Sequence, residues 1–284
     1  MKKILITGEN SYVGKSLEKW LGKYPERYSI DSISLRNDSW KEKEFSEYDV
    51  VFHAVGIAHI KETKENADLY YKINRDMAYE VAQKAKGEGV QQFIFLSSMS
   101  VYGIETGVID KNSPLKPKTN YGKSKLQAEG LIKTLADEKY NIVIVRPPMI
   151  YGKGCKGNYS RLAKMALKFP LFPSIENKRS MIYIENLCEF LRFLIDDSKS
   201  GIFFPQNKEY VCTSEMVKII AEVHEKRIRM IKLLNPLLRL INTSTLNKVF
   251  GNLYYDKEIS NIKKHYCLLD FKSTISETEK RVKK

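Results

Sequence analysis

The chain has 284 residues, with 48 Lys or Arg against 34 Asp or Glu, which gives a formal net charge of +14 at pH 7. Hydrophobic residues make up 43% and aromatic residues 11%, which excludes a disordered chain and is ordinary for a globular one. The low counts of Gly (15) and Pro (9) exclude a collagenous or low-complexity chain.

Short β-branched runs alternate with helical patterns along the first 150 residues. We predict strands at Lys3–Thr7, Ser29–Leu35, Asp49–Ala54, Phe93–Leu96 and Asn141–Val145, and helices that open near Tyr12–Gly14 and span Asp68–Lys86 and Tyr121–Asp137. This alternation is typical of an α/β protein, a doubly wound parallel sheet with helices on both faces. We expect a domain at residues 1–150 and a smaller lobe at 151–284, with the chain crossing between them.

The positive charge is concentrated near the C-terminus, where Lys226–Lys284 holds 14 basic and 5 acidic residues. Such a surface can serve nucleic acid, anionic lipid or small anionic substrates. Ile228–Ile241 mixes apolar and basic residues, which is typical of a helix packed on the lobe; attachment to a membrane surface is the alternative. No aromatic-interleaved basic module is recognisable, so we expect no nucleic-acid partner.

The cysteines and the hydropathy pattern indicate where the protein works. The four cysteines stand far apart without a C-x-x-C pair, so we expect neither a metal site nor a disulfide framework. The N-terminal apolar run is too short for a signal peptide, and no stretch approaches the roughly 18 apolar residues of a membrane span. We therefore expect a cytoplasmic protein.

A glycine-bounded turn, Thr7-Gly8-Glu9-Asn10-Ser11-Tyr12-Val13-Gly14, follows the first predicted strand. A dinucleotide pyrophosphate needs such a turn, because bare backbone lets amide groups approach phosphate oxygens at a helix N-terminus. Ser11 stands where a middle glycine would be expected, and its hydroxyl could itself touch a phosphate. The position of the turn, heading an alternating β/α pattern, predicts a dinucleotide site.

The second strand ends without the acidic residue that reads the ribose 2′-hydroxyl of NAD, normally about 20 residues after the loop. Arg36 stands there, and a cation can pair with the 2′-phosphate of NADP. Asp31 is the competitor but falls earlier, inside the strand, and an ordinary surface arginine is the alternative interpretation of Arg36. The pattern favours NADP(H) over NAD(H).

Tyr121 and Lys125 lie one turn apart on one face of a predicted helix. A free phenol has a pKa of about 10, which is too high for efficient proton exchange at neutral pH. A neighbouring ammonium would stabilise the phenolate and so ease loss of the proton. Ser97, Ser98 and Ser100 follow a buried strand upstream, at the sheet edge where ligands bind in such folds.

In these motifs and their order, the chain resembles the extended short-chain dehydrogenase/reductase family of nucleotide-sugar epimerases, dehydratases and reductases. The matching segments are TGENSYVG, HAVG (His53–Gly56), Asn74, FLSSMSVYG, YGKSK, RPPMIYG (Arg146–Gly152) and RSMIYIENL (Arg179–Leu187). The resemblance implies a Rossmann-type sheet with a C-terminal nucleotide-sugar-binding lobe, and a homodimer that pairs the two long helices of each subunit.

By this resemblance, Tyr121 is the catalytic acid/base, Lys125 lowers its pKa and holds the nicotinamide ribose, and Ser98 bonds the reacting sugar oxygen. Ser97 and Ser100 are the substitutes for Ser98. The residues expected at the cofactor are Gly8, Ser11, Tyr12, Val13, Gly14, Arg36, Ala54, Val55, Gly56, Asn74, Tyr121, Lys125 and Pro148. The residues expected at the substrate are Ser98, Asn158 and Arg179.

Several reactions fit this family. Ser98-Met99-Ser100 lacks the acidic pair of a 4,6-dehydratase, which disfavours dehydration. Arg36 favours an NADPH-dependent 4-ketoreductase, and the segments RPPMIYGKGCKGNYSRL, RSMIYIENL and KVFGNLYYDKE resemble reductases of UDP-4-keto-6-deoxy-N-acetylhexosamine in bacterial capsule and O-antigen synthesis. The alternatives are a UDP-hexose 4-epimerase with bound NAD, acting on UDP-glucose or UDP-N-acetylglucosamine, and a non-catalytic NADP-binding regulator. The intact Tyr121–Lys125 pair argues against the regulator.

Overall fold

The computed structural model describes residues 1–58, 60–233, 235 and 243–280. It divides into two compact units, the first formed by residues 1–103, 114–147 and 187–205, the second by 104–113, 148–186 and the chain from 206 onward. The boundary predicted at residue 150 lies near the crossing after residue 147. The structure adds two exchanges that the predicted boundary lacks, since residues 104–113 belong to the second unit and 187–205 to the first.

The strands, numbered in chain order, are β1 (Lys2–Thr7), β2 (Tyr28–Ile33), β3 (Val50–His53), β4 (Gln92–Leu96), β5 (Gly107–Ile109), β6 (Asn141–Val145), β7 (Met149–Tyr151), β8 (Leu171–Pro173), β9 (Met181–Tyr183), β10 (Gly201–Phe203), β11 (Arg229–Ile231) and β12 (Leu253–Tyr255). The α-helices of the described residues are α1 (Tyr12–Leu21), α2 (Ala67–Tyr71), α3 (Met77–Gly87), α4 (Asn120–Lys133), α5 (Asn158–Lys168), α6 (Ile184–Asp196), α7 (Thr213–Val223), α8 (Ser244–Phe250), α9 (Lys257–Ser260) and α10 (Phe271–Glu279). A π-helical turn, Lys72–Asp76, joins α2 to α3, and 3-10 turns lie at Asp38–Lys41 and Met99–Tyr102.

The first unit is built on a six-stranded sheet among the described residues, in the order β10-β6-β4-β3-β1-β2, with every pair parallel. Successive β1 residues point to opposite faces. Leu5 packs in the core cluster with residues of α3 and α4, whereas Ile6 approaches Gly14 of α1. Helices therefore cover both faces, as expected for a doubly wound sheet. The order reverses at β1, between β2 and β3, which is where such sheets bind ligands.

Two predicted helices differ from the observed ones, one in where it ends and the other in an interruption within it. The helix predicted over Tyr121–Asp137 ends at Lys133, because the chain tightens into i→i−3 turns, in which Thr134 N–H donates to Leu131 O at 3.2 Å. The helix predicted over Asp68–Lys86 is interrupted by the π-helical turn. Turns of this kind occur often at functional positions.

The second unit combines short parallel strand pairs with helices. The strand pairs are β5 with β12, β7 with β9 and β8 with β11. α7 packs against α5 and α10, and α6 begins in this unit and continues into the first. No helix of the described residues is long and apolar enough to cross a membrane. Part of the basic apolar segment Ile228–Ile241, namely residues 234 and 236–241, lies outside the described residues.

Candidate active site

The turn after β1 has the backbone shape that the glycine pattern predicts. Gly8 has a φ of +102°, and a Cβ there would lie 3.0 Å from Val55 Cγ2, so both conformation and space require glycine. Ser11 is the N-cap of α1, its Oγ accepting from Gly14 N–H at 2.8 Å. A Cβ on Gly14 would lie 2.6 Å from that Oγ. The serine at the middle position thus stabilises the start of α1, whose first residues are Tyr12 and Val13.

The segment just after β2 presents Arg36, and the carboxylate of Asp38, two residues further on, is paired with Lys41. Asp31 lies inside the strand, aligned with Leu5, and accepts a hydrogen bond from the Tyr48 hydroxyl. Arg36 is exposed beyond the strand end, and its guanidinium has no hydrogen-bond or ion-pair partner among the described residues. Asp31 is therefore committed within the sheet, while Arg36 is available to an anion.

The loop after β3 is clamped by an asparagine from the π-helical turn. Asn74 is fully buried; its Oδ1 accepts from Ile57 N–H at 2.8 Å, and its Nδ2 donates to Ile57 O at 3.2 Å. The same Nδ2 donates to Ser124 Oγ of α4 at 3.1 Å. Asn74 thus fixes the course of the loop that begins with Ala54, Val55 and Gly56. A Cβ on Gly56 would lie 3.1 Å from Lys125 Nζ, so the backbone passes directly over the lysine.

The three candidate serines after β4 have different environments. Ser97 is 2% exposed and donates to the Glu129 carboxylate, so its hydroxyl is committed inside the protein. Ser100 is exposed. Ser98 is half-buried and caps the 3-10 turn, accepting from Ser100 N–H at 3.1 Å. Its Oγ donates to Ser100 Oγ at 3.1 Å, and its side chain is the hydrogen-bonding neighbour that lowers the pKa of Tyr121. The geometry brings Ser98, rather than its neighbours, to the phenol.

Helix α4 begins at the site and is held there by two caps. Thr119 Oγ1 accepts from Gly122 N–H at 3.1 Å. The Glu62 carboxylate accepts from the N–H groups of Asn120 and Tyr121 at 3.0 and 3.1 Å, where a negative charge also suits the helix dipole. Glu62 is about 60 residues from α4 in sequence, and no sequence signal identifies it.

Lys125 lies beneath Tyr121 on the same helix face. It is 4% exposed, and its Nζ donates to Leu96 O at 2.9 Å and lies 4.6 Å from the Phe95 ring centroid. Burial lowers the pKa of Lys125 to about 7, and the charge of Glu129 partly opposes this. Burial raises the pKa of Tyr121, while its hydrogen bond with Ser98 lowers it. Within the protein alone, burial has the larger effect on Tyr121, so the phenol is a neutral acid at pH 7.

A buried ion pair behind the site was not identified from sequence. Arg146 donates to Glu129 from Nη2 at 2.6 Å and from Nε at 3.0 Å, and the two residues are 3% and 1% exposed. Arg146 Nη1 also donates to Tyr102 OH at 2.9 Å. Ser97 and Tyr102, both bonded to this pair, flank the turn that carries Ser98. The pair therefore attaches both ends of that turn to α4.

The predicted substrate residues lie in the second unit. Asn158 is the exposed first residue of α5. Arg179 is half-buried, and its Nη1 donates to the carbonyls of Asn247 and Gly251 at 3.2 and 2.9 Å. Burial lowers the pKa of Arg179 to about 10. Its Nε and Nη2 have no hydrogen-bond acceptor among the described residues, and Pro148 is buried at the start of this unit.

Comparisons with known proteins agree with this organisation. The model of the NAD dependent epimerase/dehydratase family matches residues 4–204. A UDP-glucose 4-epimerase from Vibrio cholerae is 32% identical over 91% of this chain and 84% of its own length. The structure of a UDP-glucuronic acid 4-epimerase from Bacillus cereus superposes with a TM-score of 0.76 at 18% identity, covering 98% of this chain and 97% of its own. A dTDP-4-dehydrorhamnose reductase from Clostridium acetobutylicum gives 0.76 at 19% identity, covering 97% and 98%.

These structures share the fold, which confirms the predicted fold class. The family match covers well over half of the chain and includes the glycine turn, the serine turn and the Tyr121–Lys125 pair. The chain belongs to the NAD dependent epimerase/dehydratase family.

Proposed function

We propose that the protein carries out oxidation–reduction at C4 of a UDP-sugar, with Tyr121 as the acid/base. The observation that carries this proposal is that Tyr121 and the buried Lys125 stand one turn apart on α4, with Ser98 as the hydrogen-bonding neighbour of the phenol. A neutral phenol beside a hydroxyl can protonate an oxygen on which negative charge develops, and the serine can donate to the same oxygen.

The residues present fit a nicotinamide dinucleotide. The positive φ of Gly8 and the close approaches at Gly8 and Gly14 form the bare backbone cradle that a pyrophosphate requires at a helix N-terminus. The backbone of Ala54, Val55 and Gly56 lies just after β3, and Asn74 holds this loop through Ile57. When bound, the cofactor would supply or accept the hydride.

The chain's own residues supply the proton and the orientation. In the reducing direction, Tyr121 gives its proton to the C4 oxygen while Ser98 donates a hydrogen bond to that oxygen. Lys125, whose pKa is about 7, can return a proton toward Tyr121 through the ribose hydroxyls and solvent. Asn158 and Arg179 would hold the diphosphate, since charge-assisted bonds from a guanidinium suit phosphate oxygens. Pro148 would border the nicotinamide.

In this proposal the residues at the end of β2 favour NADPH as the cofactor. A preference for NADPH in turn favours a 4-ketoreductase. Arg36 is exposed with no partner among the residues that the structure describes, and Asp31 is engaged by Tyr48, so the end of β2 offers a cation to a 2′-phosphate. The substrate would be a UDP-4-keto-6-deoxy-N-acetylhexosamine, a precursor of capsule or O-antigen. Its 4-keto group needs one hydride and one proton, which this site can deliver.

A 4-epimerase is the second candidate, and the Vibrio cholerae relative named a UDP-glucose 4-epimerase favours it. The same Tyr121 would then act as base and acid in turn. Tightly held NAD would be required, because the hydride leaves C4 and returns to its other face within one binding event.

Two incubations separate the candidates. A reductase oxidises NADPH in the presence of UDP-4-keto-6-deoxy-N-acetylglucosamine, followed at the absorbance of the reduced nicotinamide. An epimerase leaves NADPH unchanged, releases NAD on denaturation, and interconverts UDP-glucose with its C4 epimer without added cofactor.

Tyr121→Phe is expected to abolish either activity while cofactor binding persists. Tyr71→Phe, a half-buried tyrosine bonded to Asn120, is the matched control. Substantial activity of Tyr121→Phe would refute the assignment.

A further inference from the structure

The strand pair β8–β11 and the residues next to it in sequence carry exposed apolar and basic side chains. Strands β8 and β11 pair in parallel, which places Leu171 beside Arg229. Phe169, Leu171 and Leu233 are 47%, 49% and 88% exposed, whereas Phe172, next to Leu171 in β8, is buried. The apolar–basic patch consists of Lys168, Phe169, Leu171, Arg229, Lys232 and Leu233.

The charge of this patch is one-sided. Lys168, Arg229 and Lys232 are exposed, and none of them forms an ion pair within the described part of the chain. The acidic residues nearest in sequence, Glu176 and Glu225, are exposed and lie outside the paired strands. The patch is therefore a group of apolar side chains with one cation, Arg229, on the strand pair and two more, Lys168 and Lys232, next to it in sequence. This composition suits a membrane, whose apolar layer begins beneath negatively charged headgroups.

We propose that the apolar–basic patch docks the protein on the surface of an anionic membrane. Apolar side chains inserted below the headgroups gain by leaving water, and cations beside them are attracted to anionic lipid. A two-fold contact between copies would bring the same patch on each copy together, so that cations would face cations. Charge thus favours lipid over a second copy. The proposal is independent of the reaction that the first unit catalyses.

The test is co-flotation of the purified full chain with vesicles at low salt. Vesicles of phosphatidylcholine with phosphatidylglycerol are expected to bind the chain, and vesicles of phosphatidylcholine alone are expected not to. Each basic residue near an anionic surface raises the membrane partition coefficient about fivefold. The double variant Arg229→Glu with Lys232→Glu should therefore lower that coefficient by a factor of about 20 or more. Leu171→Ser with Leu233→Ser tests the apolar contribution and should also weaken binding.

Matched controls carry the same chemical changes elsewhere. Lys133→Glu with Lys139→Glu reverses two exposed lysines of the first unit, and Leu115→Ser removes a leucine that is 39% exposed there. These variants should bind vesicles as the unaltered chain does. The proposal is overturned if the chain does not float with anionic vesicles, or if the controls lose binding equally. It is also overturned if the chain self-associates and the patch variants only convert it to monomers.

Discussion

Replacing Glu129 by Gln is expected to affect both stability and the pH dependence of turnover. Glu129 forms a two-point contact with Arg146 at 2.6 and 3.0 Å, with both side chains almost fully buried. A neutral amide at this position leaves the guanidinium charge without its counter-charge. Breaking such a buried pair costs about 3–5 kcal/mol. For a chain of this size, that corresponds to a fall in melting temperature of roughly 5–15 °C.

The second effect acts through the proposed role of Lys125 in turnover. The Glu129 carboxylate raises the pKa of Lys125 against the opposing effect of burial. Without that charge, the lysine should lose its proton at a lower pH. If turnover needs the charged lysine, activity falls as pH rises through its pKa, so the alkaline limb of the profile should move to lower pH.

The measurements are thermal unfolding and kcat between about pH 6 and 9, a range that includes the Lys125 pKa of about 7. Ser97→Ala is the control, because it removes one hydrogen bond to Glu129 but keeps its charge, and should leave the pH profile in place. A double variant, Glu129→Leu with Arg146→Met, removes the charges together and should regain stability. Loss of stability without movement of the alkaline limb would refute the link to Lys125, and unchanged stability would refute the buried pair.

Other substitutions test separate parts of the site. Arg36→Asp should shift preference from NADPH toward NADH by about tenfold to a hundredfold, since one charge-assisted interaction is exchanged for a repulsion; the ratio of kcat/KM values measures it. Gly122→Ala should lower kcat and melting temperature together, because its Cβ would lie 2.7 Å from Ser100 O and overpacking costs about 1–3 kcal/mol. Burial lowers the pKa of His53 to about 3, so the unfolded state binds more protons between about pH 6.5 and 3 and stability falls as pH drops through that window. Denaturant unfolding of His53→Asn should show a shallower acid loss, and an equal slope would contradict this.

The sheet of the first unit was largely predictable because its strands carry their own signal. The predicted Asn141–Val145 strand coincides with β6, and the predicted strands that became β1 and β4 differ from the observed ones by one residue. These runs are buried on both faces, which gives near-continuous apolar sequence. Strand β10, Gly201–Phe203, was not predicted, since three residues provide no periodicity and its pairing with β6 is purely tertiary.

The sequence indicates Ser98 only through the family resemblance and leaves Ser97 and Ser100 as substitutes. Ser97, Ser98 and Ser100 are chemically identical, and only their surroundings distinguish them. The buried carboxylate that engages Ser97 is 32 residues away, on α4, and comes into reach only when the helix packs on the sheet. The same holds for Glu62 at the start of α4. Motifs indicate the residue types of a candidate site, whereas long-range polar contacts determine which of several like residues remains available there.

Those long-range contacts converge on one element, α4. Four separate links tie other elements to this helix. Asn74 of the π-helical turn bonds Ser124, Ser97 after β4 bonds Glu129, Leu96 O at the end of β4 accepts from Lys125, and Glu62 of the loop after β3 accepts from Tyr121 N–H. Because α4 also carries the phenol and the ammonium, any shift of the helix would move both groups and disturb the loops around the predicted cofactor path. Changes that displace α4 should therefore impair cofactor binding and turnover together, whereas removal of the Tyr121 hydroxyl alone should impair turnover only.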